Sequence, residues 1–193
     1  MTRNDNDVGL SIEGRRFVEI MERGIRKNEL GNWEMPLPFR SHSISMPNNR
    51  SYAVKRLNGL LQTLRRKPQM ERDYVDFMAK VLEKGHAVPV PYQEISSRED
   101  FGQVWYLPHF GVYHSKKPDQ IRVVFDSSAE YQGTSLNREL LTGSDFMNSL
   151  VGVLIRFRRE DVAAMCDVEQ MFHSFHVAPK HQDFLRFLLK NPS

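Results

Sequence analysis

The residues that decide the fold are Val-Trp-Tyr-Leu-Pro-His-Phe-Gly-Val-Tyr-His (104–114) and, after a polar tract, Ile-Arg-Val-Val-Phe (121–125). Both runs are rich in aromatic and β-branched side chains, which favour strands. The tract between them, Ser-Lys-Lys-Pro-Asp-Gln (115–120), is polar and carries two lysines. The sequence therefore predicts a β-hairpin, with strands at 104–113 and 121–125 and a basic tip.

Three helices are predicted before this hairpin, because apolar residues recur at helical spacing in the three segments that follow Ser11, Asn49 and Pro68. Ser11 and Asn49 are the expected N-terminal caps. Gly85 suits the left-handed position that ends the third helix. The second and third helices then form a helical hairpin that is both apolar and basic.

Behind the hairpin, a fourth helix is expected to start at Ser144 or Asp145. A short apolar run at 162–166 predicts a buried strand that ends at Asp167, and 184–189 is a further strand candidate with an ambiguous period. Helices followed by a hairpin, a helix and strands predict an α+β fold with segregated parts.

Size and composition limit the choice of function. A chain of 193 residues can form one sizeable domain or two small ones. Its single cysteine, Cys166, excludes an intramolecular disulfide and a cysteine-based zinc cluster. No apolar run is long enough to span a bilayer, and the polar N-terminus does not look like a signal peptide. These features predict a reducing intracellular compartment and no membrane partner.

The formal charge of +3 is mild, but the cations are clustered. Clusters of this kind suit a polyanionic partner, because neutralising phosphates releases counterions. Solvated helix faces are the alternative, and charge alone favours that alternative. The clustered residues are Lys55, Arg56, Arg65, Arg66, Lys67 and Arg72; Lys116, Lys117 and Arg122; and Arg156, Arg158 and Arg159.

Two places carry candidate chemistry. Asp167 follows an apolar run, and magnesium is held by few carboxylates together with substrate phosphates, so Asp167 supplies half of a site. The alternative is an aspartate that caps a turn. At the hairpin, Lys116, Lys117 and Arg122 could hold the oxygens of a triphosphate, with the arginine as a fork. The alternative there is a soluble loop tip.

The strings at 105–114 and 121–129 resemble the fingers hairpin of reverse transcriptases from BEL/Pao-type LTR retrotransposons. The likeness continues in the same order along nearly the whole chain. Asp-Val-Glu-Gln-Met-Phe (167–172) is similar to the first palm motif of that family. Further similar strings are Gly-Thr-Ser-Leu-Asn (133–137), Leu-Thr-Gly (141–143), Asn-Ser-Leu (148–150) and, in the connector between protease and polymerase, 31–39 and 83–87.

This resemblance implies a helical connector at residues 1–85 and a partial right-hand polymerase, fingers plus the start of the palm, at 86–193. The implied function is a fragment of an RNA-directed DNA polymerase that uses two Mg²⁺ ions. Its implied partners are an RNA or DNA template-primer, a dNTP and the rest of the retrotransposon polyprotein. The expected location is cytoplasmic retrotransposon particles, or the nucleus.

Residue by residue, the resemblance makes Asp167 the catalytic ligand of both magnesium ions and Phe172 the aromatic gate against a ribose 2′-hydroxyl. Arg122 would contact the triphosphate, with Lys116 or Lys117 as its helper. The backbone N–H groups of Val168 and Glu169 would bind the same phosphates.

One family feature is missing. The second metal motif, Tyr-x-Asp-Asp, does not occur, and the sequence contains no Asp-Asp pair. Tyr74-Val75-Asp76 matches part of it but precedes Asp167 and lies in a helical pattern. We therefore expect this chain to be inactive by itself. The alternatives are a non-catalytic nucleic-acid-binding or interaction module derived from a retroelement, and a product that does not fold stably.

Two other motifs in the sequence do not match the pattern of the site that they resemble. Asp126-Ser127-Ser128 is similar to an aspartic protease loop, but it lacks the glycine, so we expect a strand-end turn. His173, His176 and His181 match no standard zinc spacing.

Overall fold

The structure is a computed structural model that describes residues 11–29, 31–91, 95, 102–143, 150–159, 161–162, 164, 166–167, 171 and 175–190. The chain forms two compact units. The first unit comprises residues 1–38 and 141–176, and the second comprises 39–140 and 177–193. The resemblance implies a different boundary, at residue 85, between the connector and the polymerase part of a polyprotein. That boundary stays a prediction.

The described elements, in chain order, are α1 (Ile12–Gly24), β1 (Arg26–Lys27), β2 (Trp33–Met35), α2 (Arg50–Arg65), α3 (Pro68–Glu83), β3 (His109–His114), β4 (Lys117–Phe125), α4 (Leu136–Glu139), α5 (Leu150–Phe157), β5 (Phe175–Val177) and a 3-10 helix (Pro179–Leu185). The predicted α+β class is confirmed. Among the described residues, no helix has the length and apolar character needed to cross a membrane.

In the first unit, α1 starts where the sequence predicts, because the Ser11 side chain accepts a hydrogen bond from the Gly14 N–H at 3.0 Å. Strands β1, β2 and β5 form a small sheet in the order β1-β2-β5, in which β1 and β2 are antiparallel. Helix α5 is apolar, yet it has no buried residue among those described. Its predicted caps, Ser144 and Asp145, lie outside the described residues.

In the second unit, α2 and α3 form the predicted helical hairpin. Pro68 occupies the first turn of α3, where its missing N–H is tolerated. Gly85 has a φ of +68°, and its N–H binds the Leu82 carbonyl while the His86 N–H binds the Val81 carbonyl. This is the Schellman arrangement, so the predicted end of the helix is confirmed.

The predicted β-hairpin is also confirmed, although its limits differ. Its tip is the two-residue turn Ser115–Lys116, and residues 118–120 belong to β4 rather than to the turn. The register shifts between Tyr113 and His114, which accommodates the extra residues of β4. Residues 104–108 do not join the hairpin ladder. They form a buried segment that precedes it, which we call the hairpin lead.

Asn49 precedes α2 as predicted, but its side chain does not cap the helix. It is fully buried instead, and its amide forms two hydrogen bonds of 2.8 Å with the hairpin lead, donating to the Tyr106 carbonyl and accepting from the Tyr106 N–H. Asn49 is therefore the N-cap residue, as predicted, and its carbonyl accepts from the Ala53 N–H at 3.0 Å, but its side chain forms no capping bond with the helix. A side-chain amide can pair with a buried backbone amide as a neighbouring strand would, and a buried backbone requires such a partner.

Among the residues that the structure describes, two predicted strands are not found. Of the run at 162–166, the described residues Val162, Ala164 and Cys166 lie in no strand and are exposed. A strand requires a neighbouring backbone, and a short apolar run does not supply one. The 184–189 candidate begins inside the 3-10 helix, and only Arg186 forms a bridge, with Tyr106. The ion pair from Arg186 to Asp183, three residues earlier, favours that turn.

We predict that Asn49→Ala lowers the free energy of unfolding by about 2–4 kcal/mol, since it leaves two buried backbone groups of Tyr106 without partners. Denaturant titration measures this change. Asn58→Ala is the matched control, because Asn58 is exposed within α2, and we expect it to be nearly neutral. A loss below 0.5 kcal/mol in Asn49→Ala, within the range of ordinary surface substitutions, would contradict the structural role of the pair.

Candidate nucleotide-binding hairpin

The β3–β4 hairpin has an inner and an outer face, because successive side chains of a strand point to opposite sides. On the inner face, Ile121 is buried in the cluster that also contains Leu60, Leu64, Tyr74 and Met78 of α2 and α3. A Cβ added to Gly111 would lie 2.7 Å from Ile121 Cδ1 and 3.1 Å from Met70 Cε. Glycine at position 111 therefore allows the hairpin to pack closely on α3.

Arg122 lies on the outer face, opposite Val112 in the register. Its side chain is exposed and forms no ion pair with any residue that the structure describes. The neighbouring side chains on this face are apolar and partly exposed, Val112 at 37% and Val124 at 39%. The outer face thus presents a guanidinium fork beside a small apolar surface.

The tip of the hairpin carries the predicted lysines. Lys116 is exposed in the turn, and its backbone N–H donates to Nδ1 of His114 at 3.1 Å. Lys117 begins β4, and its side chain lies outside the described residues. Lys116 and Arg122 are thereby placed on one hairpin, as the resemblance requires of residues that would share a triphosphate.

The tip is tied to α3 by a side-chain contact that sequence reasoning missed. The Tyr113 hydroxyl donates to Oδ2 of Asp73 at 2.5 Å, and Gln69 Nε2 donates to Oδ1 at 2.8 Å. The hydrogen bond to Asp73 raises the pKa of Tyr113 to about 12. The partners are 40 residues apart, so no local pattern could have paired them.

The root of the hairpin rests on a buried aromatic cluster. The rings of His109 and Tyr74 are stacked, with His109 Nε2 and the Tyr74 hydroxyl 2.7 Å apart, and Phe125 and Phe187 complete the cluster. Burial lowers the pKa of His109 to about 4, opposed by a backbone hydrogen bond with Leu107. The neutral tautomer protonated at Nδ1 satisfies both neighbours, since Nε2 then accepts from the hydroxyl and Nδ1 donates to the backbone.

At the end of β4, Asp126 closes a turn. Its Oδ1 accepts from the Ser128 N–H at 3.2 Å and from the Ser128 hydroxyl at 2.6 Å. Its second oxygen lies 3.8 Å from a guanidinium nitrogen of Arg56. The prediction of a strand-end turn in place of a protease loop is confirmed.

Asp167 belongs to the first unit and is exposed. Its predicted companions Val168, Glu169 and Phe172 lie outside the described residues. Within the part of the chain that is described, no group of three or more His, Cys, Asp or Glu residues could hold a metal. One carboxylate suits one position of a magnesium shell but does not make a two-metal site. The described residues therefore do not fit a pair of magnesium ions.

Comparison with known proteins gives no relatives: no family model, no curated protein and no solved structure matches the chain.

We predict that stability falls as the pH is lowered from 6.5 toward 4. The pKa of His109 is about 4 when folded, against 6.5 for an ordinary histidine. The unfolded chain therefore binds more protons in this window, and the loss approaches roughly 3 kcal/mol at its acidic end. Urea titrations at several pH values measure the dependence.

The matched variants are His109→Gln, which keeps a hydrogen-bonding side chain but does not titrate, and His42→Gln at an exposed position. The first should reduce the pH dependence, with His181, whose pKa burial also lowers, retaining a part of it, and the second should leave it unchanged. An equal slope in all three proteins would mean that folding does not lower the pKa of His109.

Proposed function

We propose that the chain is the fingers and first-palm-motif region of a BEL/Pao-type RNA-directed DNA polymerase, which binds template-primer and the incoming dNTP. The observation that carries the proposal is the outer face of the hairpin, where exposed Arg122 stands between Val112 and Val124. The sequence resemblance supports the same assignment independently of that geometry.

The chemistry of this face suits a nucleotide. A guanidinium binds phosphate oxygens through two parallel hydrogen bonds, and Arg122 has no competing acidic partner among the described residues. Lys116 adds a second positive charge at the tip of the same hairpin. Val112 and Val124 offer apolar contact to the non-phosphate part of the ligand.

The scaffold supports a binding role as well. The inner face of the hairpin is packed on α3, the tip is fixed through Tyr113 and Asp73, and the root is fixed through His109. A site on a supported element loses less conformational entropy when it binds than a site on a free loop does.

In the proposed assignment, Asp167 supplies one carboxylate to magnesium in the intact polymerase, where the metal would neutralise developing phosphate charge. The remaining carboxylates would come from a Tyr-x-Asp-Asp motif, which this sequence does not contain. The chain by itself is therefore proposed to bind rather than to catalyse.

A second candidate is a non-catalytic nucleic-acid-binding module, and it is favoured because Asp167 belongs to no group of three or more possible metal ligands among the described residues. The two candidates differ in their nucleotide affinity. A polymerase part should bind a dNTP through Arg122, whereas a phosphate-backbone binder should bind strands in a salt-dependent manner and show no such nucleotide affinity.

We predict that dATP binds weakly to the full chain and that Arg122→Ala reduces the affinity about tenfold, since hydrogen bonds to charged groups contribute about 1.5–3 kcal/mol. Saturation-transfer NMR titrations measure the dissociation constant of dATP for each protein. Arg122→Lys should fall between the two, and Arg15→Ala, at an exposed position on α1, should behave as wild type. An unchanged affinity in Arg122→Ala would remove the triphosphate assignment.

We predict that in the intact polymerase Asp167→Ala abolishes primer extension, with a loss of at least about a hundredfold, and leaves template-primer affinity within a factor of about two. Extension assays and fluorescence anisotropy measure the two quantities on the same preparation. Asp161→Ala, at another exposed aspartate in the same unit, is the control. Loss of template binding in Asp167→Ala would show a structural role for this residue instead.

A further inference from the structure

Helix α5 (Leu150–Phe157) exposes large apolar side chains around most of its circumference. None of its eight residues is buried. Its apolar side chains are Leu150, Val151, Val153, Leu154, Ile155 and Phe157, and their exposed fractions range from 42% at Val153 to 71% at Leu150. Single apolar residues are ordinary on a protein surface, but a group of this size on one short helix forms a continuous patch.

The area of this patch is close to that of one side of a protein interface. At these exposed fractions, the apolar residues of α5 present roughly 600 Å² to solvent, at the upper end of the largest patches on ordinary monomers. A standard interface buries about 800 Å² on each partner, and transient interfaces bury less. A partner that covers α5 and a few neighbouring residues would therefore form a specific complex of moderate affinity.

The first unit, which contains α5, has little apolar core in the described ranges. Of the buried hydrophobic residues in those ranges, only Leu141 belongs to the first unit, and the others belong to the second. A small unit with few buried apolar residues gains stability when an association covers its apolar surface. A partner on α5 would therefore stabilise the first unit.

The distribution of charge on α5 fits a second copy of this chain. From Leu150 to Ile155 the helix carries no charge, so two copies of this stretch can meet without desolvating a charged group. Arg156, Arg158 and Arg159 follow at the C-terminal end. In an antiparallel pair about a two-fold axis, the two sets of arginines lie at opposite ends. Helices that bind a membrane surface instead carry cations along their whole polar face.

We propose that α5 is the contact surface of a homodimer, in which the helices of two copies pair antiparallel through Val151 and Ile155. These residues are four positions apart, so they lie on the same side of the helix, and each is 67% exposed. The interface lies in the first unit and does not depend on the proposed function, which is carried by Arg122 in the second unit.

Sedimentation velocity of the full chain between about 1 and 200 µM should show a monomer–dimer equilibrium with a dissociation constant in the micromolar range. Val151→Gln combined with Ile155→Gln should weaken the dimer at least about tenfold, since it removes apolar area from the centre of the contact. Glutamine favours a helix more than valine or isoleucine does, so the variant should keep α5. Val88→Gln, at an exposed apolar residue of the second unit, should dimerise like wild type.

Each other outcome of this experiment decides against the proposal. Wild-type protein that stays monomeric at the highest concentration overturns it, as does assembly that grows beyond two copies without a plateau. Unchanged dimerisation of the double glutamine variant overturns the assignment to α5. A monomer that co-sediments with vesicles of phosphatidylcholine and phosphatidylserine assigns the patch to a lipid surface instead. The dATP titration of Arg122→Ala tests the proposed function separately in every case.

Hydrogen exchange locates the contact within the chain. The amides of α5 should exchange more slowly at the concentration where the dimer predominates than at the concentration where the monomer does, because association suppresses local opening. The amides of α2, in the second unit, should exchange at one rate under both conditions, and unchanged rates there in the double glutamine variant show that its second unit is folded. Exchange of α5 that is independent of concentration while the protein dimerises overturns the proposal.

Discussion

The two hydrogen bonds between the Asn49 amide and the Tyr106 backbone support the rest of the second unit. The hairpin lead is buried, with Trp105 fully covered and Tyr106 3% exposed, so every backbone group in it requires a partner. On one edge, Asn49 pairs with Tyr106. On the other edge, the N–H groups of Trp105 and Leu107 donate to the carbonyls of Asp183 and Arg186. The hairpin lead thus has hydrogen-bond partners on both edges. On one edge they are backbone carbonyls, and on the other edge they belong to the single side chain of Asn49.

The geometry of the hairpin follows from this pairing. The lead enters β3 directly, and the Asp126 N–H returns to the Pro108 carbonyl at 2.7 Å, so both strands are held at their root. At the other end, Tyr113 binds Asp73. Since the inner face is packed against α3 and both ends are fixed, the polar side chains of the hairpin are displayed on its outer face, where Arg122 is exposed.

Local signals accounted for the features that depend on local chemistry. Ser11 and Gly85 were predicted to begin and end helices, and both do so through contacts between residues at most five positions apart. The hairpin followed from its two aromatic and β-branched runs. Asn49 was predicted as a cap because asparagine favours that position, but its partner is 57 residues away. Tertiary pairing overrode the local preference, and no single-sequence pattern encodes that choice.

The candidate site also has features that the sequence predicts and features that it does not. Arg122 was placed on a strand because 121–125 is rich in aromatic and β-branched residues, and its exposure follows from the inward orientation of Ile121. A groove of about 440 Å³ between the start of α3 and the tip of the hairpin was not predicted, because its walls come from α3 and from the irregular start of β4, where the register shift moves residues 118–120 out of the expected turn. The strand predicted at 162–166 rested on apolar character alone, and its described residues, Val162, Ala164 and Cys166, are exposed and lie in no strand.

These differences bear on two separate parts of the proposed polymerase function, the binding of phosphates and the two-metal chemical step. Binding of phosphates requires positive charge at roughly the right distance, and a cluster of arginines and lysines tolerates small displacements. Two-metal catalysis requires several carboxylates, each held within about 0.5 Å of its position in the productive geometry. Arg122 and Lys116 stand on a unit with a buried core of its own, and their positive charges suit the first requirement. Asp167 is a single exposed carboxylate and cannot meet the second by itself. The described residues are therefore better suited to the binding half of the proposed function than to its chemical step.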